Sequence, residues 1–333
     1  MAIISRKNKR QDVALSTGAL LRAYEKMFLI RVAEEKIAAL YLKNKIMSFV
    51  HFYIGQEAVA VGVADSIGLK DKMLGNHRSH GHYLAKGGDL KRMVCELLGK
   101  EGGLAKGKGG SMHMVDRSVN FVGSTPILGS VVPLSCGVAF EQKYNKRKSV
   151  TVAFLGDGAF EEGVIYETIN LAGLFKLPLL IVVENNLYSV NSPLKDRRAE
   201  GHNVAKIVRG FGAKYIKADG KNYRDVRVKA GKMVAYLRKG NGPGVLECFT
   251  HRHMAHSAPI FDESSRKEDV LEKRLQQDSI KRLRSELRRA GVSEKKLASI
   301  ESEKIRYADE SIAFAFAAPY PKPETLYTNV FAR

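Results

Sequence analysis

The sequence predicts an α/β protein: a doubly wound, mostly parallel sheet with helices on both faces, followed by a C-terminal helical extension. Three observations carry that prediction. Apolar runs of strand length, rich in Val, Ile and Phe, alternate with segments of helical period. The clearest unit runs from Ser149 to Tyr188. A run over Ser149–Leu155 ends in Gly156-Asp157-Gly158, a helical segment follows, and Pro178 opens a second run, Leu179–Val183, that ends in Glu184-Asn185-Asn186. From Ser265 onward the chain is charged and helical in pattern, without further strand-like runs.

In chain order, residues 1–16 read as a flexible basic arm. Thr17–Lys45 spaces Leu, Ile, Met and Ala at helical intervals between charges, which predicts a long amphipathic helix on the surface of the core. A second helix is expected from Gln56 to Gly68, and a third over Asp89–Leu98. Gly99–Met114 is rich in Gly and Lys; it reads either as a mobile surface loop or as an ordered loop near an active site. Val131–Tyr144 returns to helix and leads into the central strand–helix–strand unit. A polar loop after Ser192 then precedes a helix, a strand around Lys214–Lys217, a helix over Asn222–Lys239 and a strand over Val245–Thr250. The expected division is an arm (1–16), an α/β domain (17–260) and a helical extension (261–333).

With 333 residues and 44% hydrophobic content, the chain has ample apolar material for a large core. No apolar run reaches the length of a membrane span, and the basic N-terminus is not followed by a hydrophobic segment, so a cytoplasmic protein is expected. Three cysteines in apolar surroundings, with no CxxC pair, read as buried thiols. The net charge of +20 is spread along the chain, and its densest run, Lys273–Arg289, is interleaved with acids. That distribution argues against nucleic-acid binding and for a solvated face or an acidic partner.

The central unit has chemistry of its own. Carboxyl ends of parallel strands are where ligands sit. Asp157 and Asn186 place a carboxylate and an amide oxygen there, hard ligands suited to Mg²⁺ or Ca²⁺. Gly158 allows close backbone approach, and the N–H groups at the start of the following helical segment face anions. Gly158 and Asn185 are separated by 26 residues. Gly-Asp-Gly followed at that distance by Asn-Asn, in strand–helix–strand context, is the signature of thiamine-diphosphate enzymes.

Several stretches in order extend the match: FVHFYIGQEA (49–58), NHRSHG (76–81), KGKGGSMHM (106–114), GDGAFEEG (156–163), ENNLYS (184–189) and RHMAHS (252–257). In these the chain resembles, from about Thr17 to Tyr327, the alpha subunit of thiamine-diphosphate-dependent 2-oxoacid dehydrogenases of the pyruvate and acetoin type. The resemblance implies the diphosphate-binding half of the thiamine-diphosphate fold. It also implies a beta subunit in a heterotetramer of two alpha and two beta chains, a 2-oxoacid substrate and transfer of the acyl unit to a lipoyl transacylase core.

By the same resemblance Asp157, Asn186 and the Tyr188 carbonyl would hold Mg²⁺, and Gly158, Ala159 and Arg78 the diphosphate. Leu128 would pack on the thiamine, His77 stands where the family usually has tyrosine, and His256 and His51 would be the catalytic-pocket histidines. His80-Gly-His82 and His251-Arg-His253-Met-Ala-His256 invite a zinc reading, but no cysteine or carboxylate stands at ligand spacing, and both stretches read as loops after strands. His80 and His113 also read as structural histidines holding loops.

The family's HGHSxSDP pattern after the last strand is here Met254-Ala-His256-Ser-Ala-Pro259-Ile-Phe261. That departure opens alternatives: transfer of a two-carbon unit to a non-lipoyl acceptor such as a keto sugar, acetoin cleavage, or a non-catalytic scaffold homologue.

Overall fold

Six parallel strands frame the protein, and their order follows from the crossovers. In a computed structural model that describes residues 15–257 and 271–328, the chain enters the sheet at β1 (Lys72–Gly75). It continues through β2 (Phe121–Ser124), β3 (Thr151–Gly156) and β4 (Leu179–Asn185). A two-stranded hairpin, β5 (Tyr188–Ser189) and β6 (Ser192–Pro193), lies outside the main sheet, which is completed by β7 (Lys214–Asp219) and β8 (Gly244–Phe249). The spatial order is β2-β1-β3-β4-β8-β7, every pair parallel.

The strands alternate sides with period 2, so each face has its own core. Val152 and Phe154 of β3, with Leu180 and Val182 of β4, join one apolar cluster. Covering that face are α1 (Thr17–Leu42), α2 (Glu57–Ala64), α3 (Ser79–Ala85) and α4 (Leu90–Leu97). Ala153 and Leu155, with Ile181 and Val183, join the other cluster under α5 (Val131–Tyr144) and α6 (Gly163–Leu174). After the short α7 (Leu194–Arg197), α8 (Val204–Gly210) packs on this second face and α9 (Tyr223–Arg238) on the first.

The C-terminal part consists of α10 (Leu271–Gln276), α11 (Ser279–Arg289) and α12 (Glu294–Ala317). Leu283, Leu287, Leu297 and Ile300 are buried in the same cluster as α1 and α4. This changes the reading of α1. Its sequence suggested a surface helix, yet Tyr24, Met27, Ile30 and Glu34 are fully buried, because helices more than two hundred residues downstream cover its outer side. The Tyr24 hydroxyl donates to Glu301 across that contact at 2.5 Å.

Predicted and observed elements agree within a few residues where apolar runs are long. β1 was expected only as a strand without bounds before His80, and β2 not at all: Lys-Met-Leu-Gly and Phe-Val-Gly-Ser are four residues each and too short to show a period. Residues 1–14 of the arm and Pro259–Phe261 of the altered loop lie outside the described residues, as does the expected boundary at 260/261.

The Gly99–Met114 segment is ordered by one side chain. Buried Glu96 of α4 accepts the N–H groups of Ala105 and Gly107 on Oε2 at 2.7 and 3.0 Å, and those of Gly109 and Gly110 on Oε1 at 2.7 and 3.0 Å. Gly107 has φ +75°, and a Cβ there would stand 2.5 Å from the Gly99 carbonyl carbon, so only glycine closes this loop. Its Ser111 bonds to His80 Nε2 at 2.9 Å, and Glu34 bonds to His80 Nδ1 at 2.7 Å while accepting the Tyr53 N–H at 3.3 Å. The loop therefore braces the wall of the cleft described next without lining it.

Candidate functional site

The sheet has one topological switch point. From β1 the chain moves outward to β2, then crosses back past β1 to β3, so the loops after β1 and β3 diverge and leave a crevice at their carboxyl ends. Asn76-His77-Arg78 follow β1, Asp157-Gly158-Ala159 follow β3, Asn186 follows β4, and His256 comes from the loop after β8. His77, Arg78, Leu128, Asp157, Gly158, Ala159, Asn186, Tyr188 and His256 all line this one cleft. His51 sits just behind, with its ring edge-on to His77 at 4.5 Å and to His256 at 5.1 Å.

One side of the cleft is a cation-facing carboxylate. Asp157 is 1% exposed, and its carboxylate is paired with Arg197, whose guanidinium also holds Glu161. Arg198 reaches Glu161 at 2.7 Å. Burial pushes the Asp157 carboxyl above its ordinary range, and Arg197 offsets only part of that rise. Gly158 has no room for a side chain: a Cβ would lie 2.3 Å from Ser189 Oγ. Ala159–Glu161 form a 3-10 turn whose leading N–H groups have no partner within the turn. Asn186 Oδ1 accepts the Tyr188 N–H at 3.2 Å, and Leu187 and Val190 are held in left-handed backbone, φ 71° and 52°. Such strain in a β-branched residue marks a loop fixed by its surroundings.

The opposite wall is built of arginine and histidine. Arg78 donates to the Phe52 carbonyl at 3.1 Å, to the His256 carbonyl at 2.8 Å and to His256 Nδ1 at 3.1 Å. A guanidinium can only donate, so His256 Nδ1 is unprotonated and the neutral ring carries its proton on Nε2. Burial, then the charge of Arg78, lowers His256 to about 4 and His51 to about 3, and drives His77 well below the ordinary histidine value. All three rings are therefore neutral at pH 7.

Beneath the cleft lies Glu184, 2% exposed, which accepts from the Tyr53 hydroxyl and, at 3.0 Å, pairs with His82 Nε2. Burial and Glu184 together raise Tyr53 well above its usual value, so it remains a donor. Buried Arg252 donates to the Met254 carbonyl at 2.9 Å and the Val190 carbonyl at 3.2 Å, tying the His256 loop to the Asn186 loop.

Sequence reading missed Glu184, Gln56, Ser189 and Arg252 as cleft residues, and Arg197 as the partner of Asp157. Glu184 and Arg252 stood inside motifs already quoted, whereas Arg197, in the one-turn α7, belongs to a stretch that has no periodic signal and reads as a polar loop. His80 and His82, expected on a loop, lie on α3 and are engaged by Glu34, Ser111 and Glu184. His113 is exposed and bonds to the Gly109 carbonyl at 3.0 Å. Met254, at the altered family position, is 7% exposed and belongs to the core cluster rather than to the cleft mouth.

Fold and cleft together define a doubly wound α/β protein whose switch-point crevice is lined by carboxylate, amide, arginine and histidine side chains. Residues 25–324 match the family model described as "Dehydrogenase E1 component". The chain is 37% identical over 313 residues to the pyruvate dehydrogenase E1 component subunit alpha of Zymomonas mobilis, covering 93% of this chain and 88% of that protein. It is 35% identical over 323 residues to the alpha subunit of acetoin:2,6-dichlorophenolindophenol oxidoreductase of Bacillus subtilis, covering 97% and 96%. The mitochondrial pyruvate dehydrogenase E1 alpha-1 subunit of Arabidopsis thaliana is 36% identical over 325 residues, covering 97% and 82%.

The chain belongs to the dehydrogenase E1 component family, as an alpha subunit. Thiamine diphosphate as cofactor and an E1 beta chain as partner follow from that membership. Among the described residues no helix is long and apolar enough to cross a membrane.

Proposed function

We propose that this chain, paired with its beta subunit in a heterotetramer, decarboxylates a short 2-oxoacid of the pyruvate type and passes on the acyl unit, with a lipoyl group of a transacylase core as the acceptor. The observation that carries this reading is the meeting of Asp157, Asn186, Arg78 and His256, from four separate loops, in one cleft at the switch point.

The residues fit a magnesium-bound diphosphate. Asp157 already faces a cation, the Arg197 guanidinium, and is buried, so its environment favours a positive partner. Asn186 and the Tyr188 carbonyl add hard oxygens. Gly158 and Ala159 would offer backbone N–H groups to the diphosphate, the tight Gly158–Ser189 approach leaving the backbone as the contact surface, and Arg78 a charge-assisted bond. His77 lies on the Arg78 side of this cradle and Leu128 provides its apolar flank.

Thiamine diphosphate supplies, when bound, the nucleophilic carbon and the electron sink. The chain's own part is binding, orientation and proton placement. Arg78 fixes the His256 ring through Nδ1 and leaves Nε2–H as a neutral donor toward the substrate carbonyl oxygen, which would gain negative charge when the carbonyl carbon is attacked. His51 packs against that ring and limits its rotation.

Incubating the co-expressed alpha and beta chains with a panel of 2-oxoacids and an artificial electron acceptor tests the proposal. Carbon dioxide release by the pair, absent from the alpha chain alone, is the expected result; release by the isolated alpha chain, or none from any oxoacid by the pair, contradicts it.

A further inference from the structure

The opposite end of the sheet holds a second concavity. At the amino ends of β1 and β3, a groove of about 790 Å³ is bounded by the turn at 68–72, by residues of the 142–149 segment and by Arg238 at the end of α9. At about 3.3 Å per residue, β3 separates this groove from Asp157 by roughly 20 Å. The groove and the cleft share no residue.

Its walls are cationic. Lys70, Lys72, Arg147, Lys148 and Arg238 line it, and Asp71 is the sole acid among the described lining residues. That carboxylate is 1% exposed and fully engaged: Oδ1 accepts the Val150 N–H at 2.8 Å, and Oδ2 accepts the Gly68 N–H at 2.6 Å and Arg238 at 2.5 Å. Arg147 pairs with Glu141 at 3.0 Å, and Lys72 donates to Asn120 Oδ1. Lys70 and Lys148, both exposed, make no ion pair among the described residues. A smaller hollow of about 190 Å³ shares Arg147, Lys148 and Arg238 and adds Lys146 and Lys176, so the positive surface continues beyond the groove.

The segments that carry these charges are held from within. Buried Lys86 donates to the Gly68 carbonyl at 2.7 Å from beneath the turn, and Arg238 donates to the Lys148 carbonyl at 2.7 Å. Like charges fixed around one concavity repel one another, and a multivalent anion bridging them relieves that repulsion. Carboxylates of an acidic peptide are best met by the arginine fork, but both arginines of the groove already hold a carboxylate. The open donors are lysines, point charges that suit phosphate. No aromatic ring lines the groove, so single-stranded nucleic acid has no surface on which to stack. A single phosphate would leave part of a ring of cations drawn from three segments unmet, whereas adjacent phosphates span it.

We propose that this groove binds a polyanion with adjacent phosphate groups, a nucleoside triphosphate or an inorganic oligophosphate, independently of the thiamine diphosphate cleft. Calorimetric titration of the alpha–beta pair, saturated with thiamine diphosphate at one fixed Mg²⁺ concentration, tests it with tripolyphosphate, ATP and orthophosphate. Tripolyphosphate is expected to bind at least ~10-fold more tightly than orthophosphate, and the double substitution Lys70→Glu with Lys148→Glu to weaken it at least ~10-fold. The urea midpoint should not move, since both side chains are exposed and unpaired with acids. Lys295→Glu with Lys322→Glu, the same change of net charge at exposed positions outside the groove, should leave tripolyphosphate binding within ~2-fold. ATP binding at least as tight as that of tripolyphosphate makes the ligand a nucleotide, and weaker ATP binding makes it the inorganic chain; both support the site. Equal affinity for tripolyphosphate and orthophosphate, or equal weakening by the two double substitutions, overturns it. So does a glutamate-rich peptide that binds more tightly than tripolyphosphate and is lost with Lys70→Glu and Lys148→Glu, which would make the groove a protein-docking surface.

Discussion

Asp157→Ala is expected to weaken magnesium-dependent binding of thiamine diphosphate by roughly 100-fold or more, since ligand-supporting contacts alone change metal affinity 10- to 100-fold and the role proposed for Asp157 is that of a direct charged ligand. The carboxylate is 1% exposed, so solvent does not supply a replacement oxygen in the same geometry. The fold should survive, because Arg197 keeps its second partner Glu161 and no buried charge is stranded. Asp157→Asn separates charge from shape: it retains an oxygen and should still lose most of the magnesium dependence.

The pH dependence has a defined sign. Burial raises the Asp157 carboxyl above the ordinary aspartate value of about 3.9, so its proton competes with the metal sooner on acidification. Binding should be complete well above the shifted value and fall as pH drops through it, beginning at a higher pH than for an unperturbed aspartate. Calorimetric titration of the alpha–beta pair with and without Mg²⁺ measures each of these, and equal cofactor affinity in Asp157→Ala and the unsubstituted protein would contradict the metal-ligand role.

Glu96→Ala should produce the largest structural effect. Four backbone N–H groups, those of Ala105, Gly107, Gly109 and Gly110, end on its two carboxylate oxygens. Each bond to a charged acceptor is worth about 1.5–3 kcal/mol singly, and the four are not additive because one loop makes them all. A loss of about 4 kcal/mol is expected, a large share of a stability of about 5–15 kcal/mol. Glu96→Gln keeps one acceptor oxygen but turns an NH₂ toward two N–H donors, so it should recover less than half of the loss. Urea midpoints give the stability. Hydrogen exchange gives the location: fast exchange confined to Gly103–Ser111 is expected, and uniform loss of protection across the sheet would show that Glu96 holds the whole fold.

What the sequence disclosed depended on how local each signal was. The βαβ unit around Asp157 was legible because its two strands are continuous apolar runs and its turns carry Gly-Asp-Gly and Asn-Asn, both local properties. β1 and β2 left no period to read, although β1 delivers Asn76, His77 and Arg78 to the cleft. The motif NHRSHG located those residues without fixing the bounds of the strand beneath them. Burial of α1 was invisible for the opposite reason: its outer face carries charges, and only α11 and α12, far along the chain, turn it into an inner helix.

Pairings between distant residues were equally out of reach. Nothing local distinguishes Arg197 from Arg198, yet only the former pairs with Asp157, because the β5–β6 hairpin folds over Gly158. Likewise Glu96 reads as one more charge on an amphipathic helix until the glycine loop folds back upon it. The three histidines of the cleft come from loops at 51, 77 and 256, and no spacing rule connects them.

The charged end of thiamine diphosphate is expected to sit between the loops that follow β3 and β4. Hydrogen exchange of the alpha–beta pair, compared with and without thiamine diphosphate and Mg²⁺, locates it directly. New protection is expected at Asp157–Phe160 and Asn186–Val190, the two loops that flank the cleft beyond β3 and β4, with no change at the amino ends of the same strands. Protection elsewhere in the alpha chain, with those two loops unaffected, would contradict it.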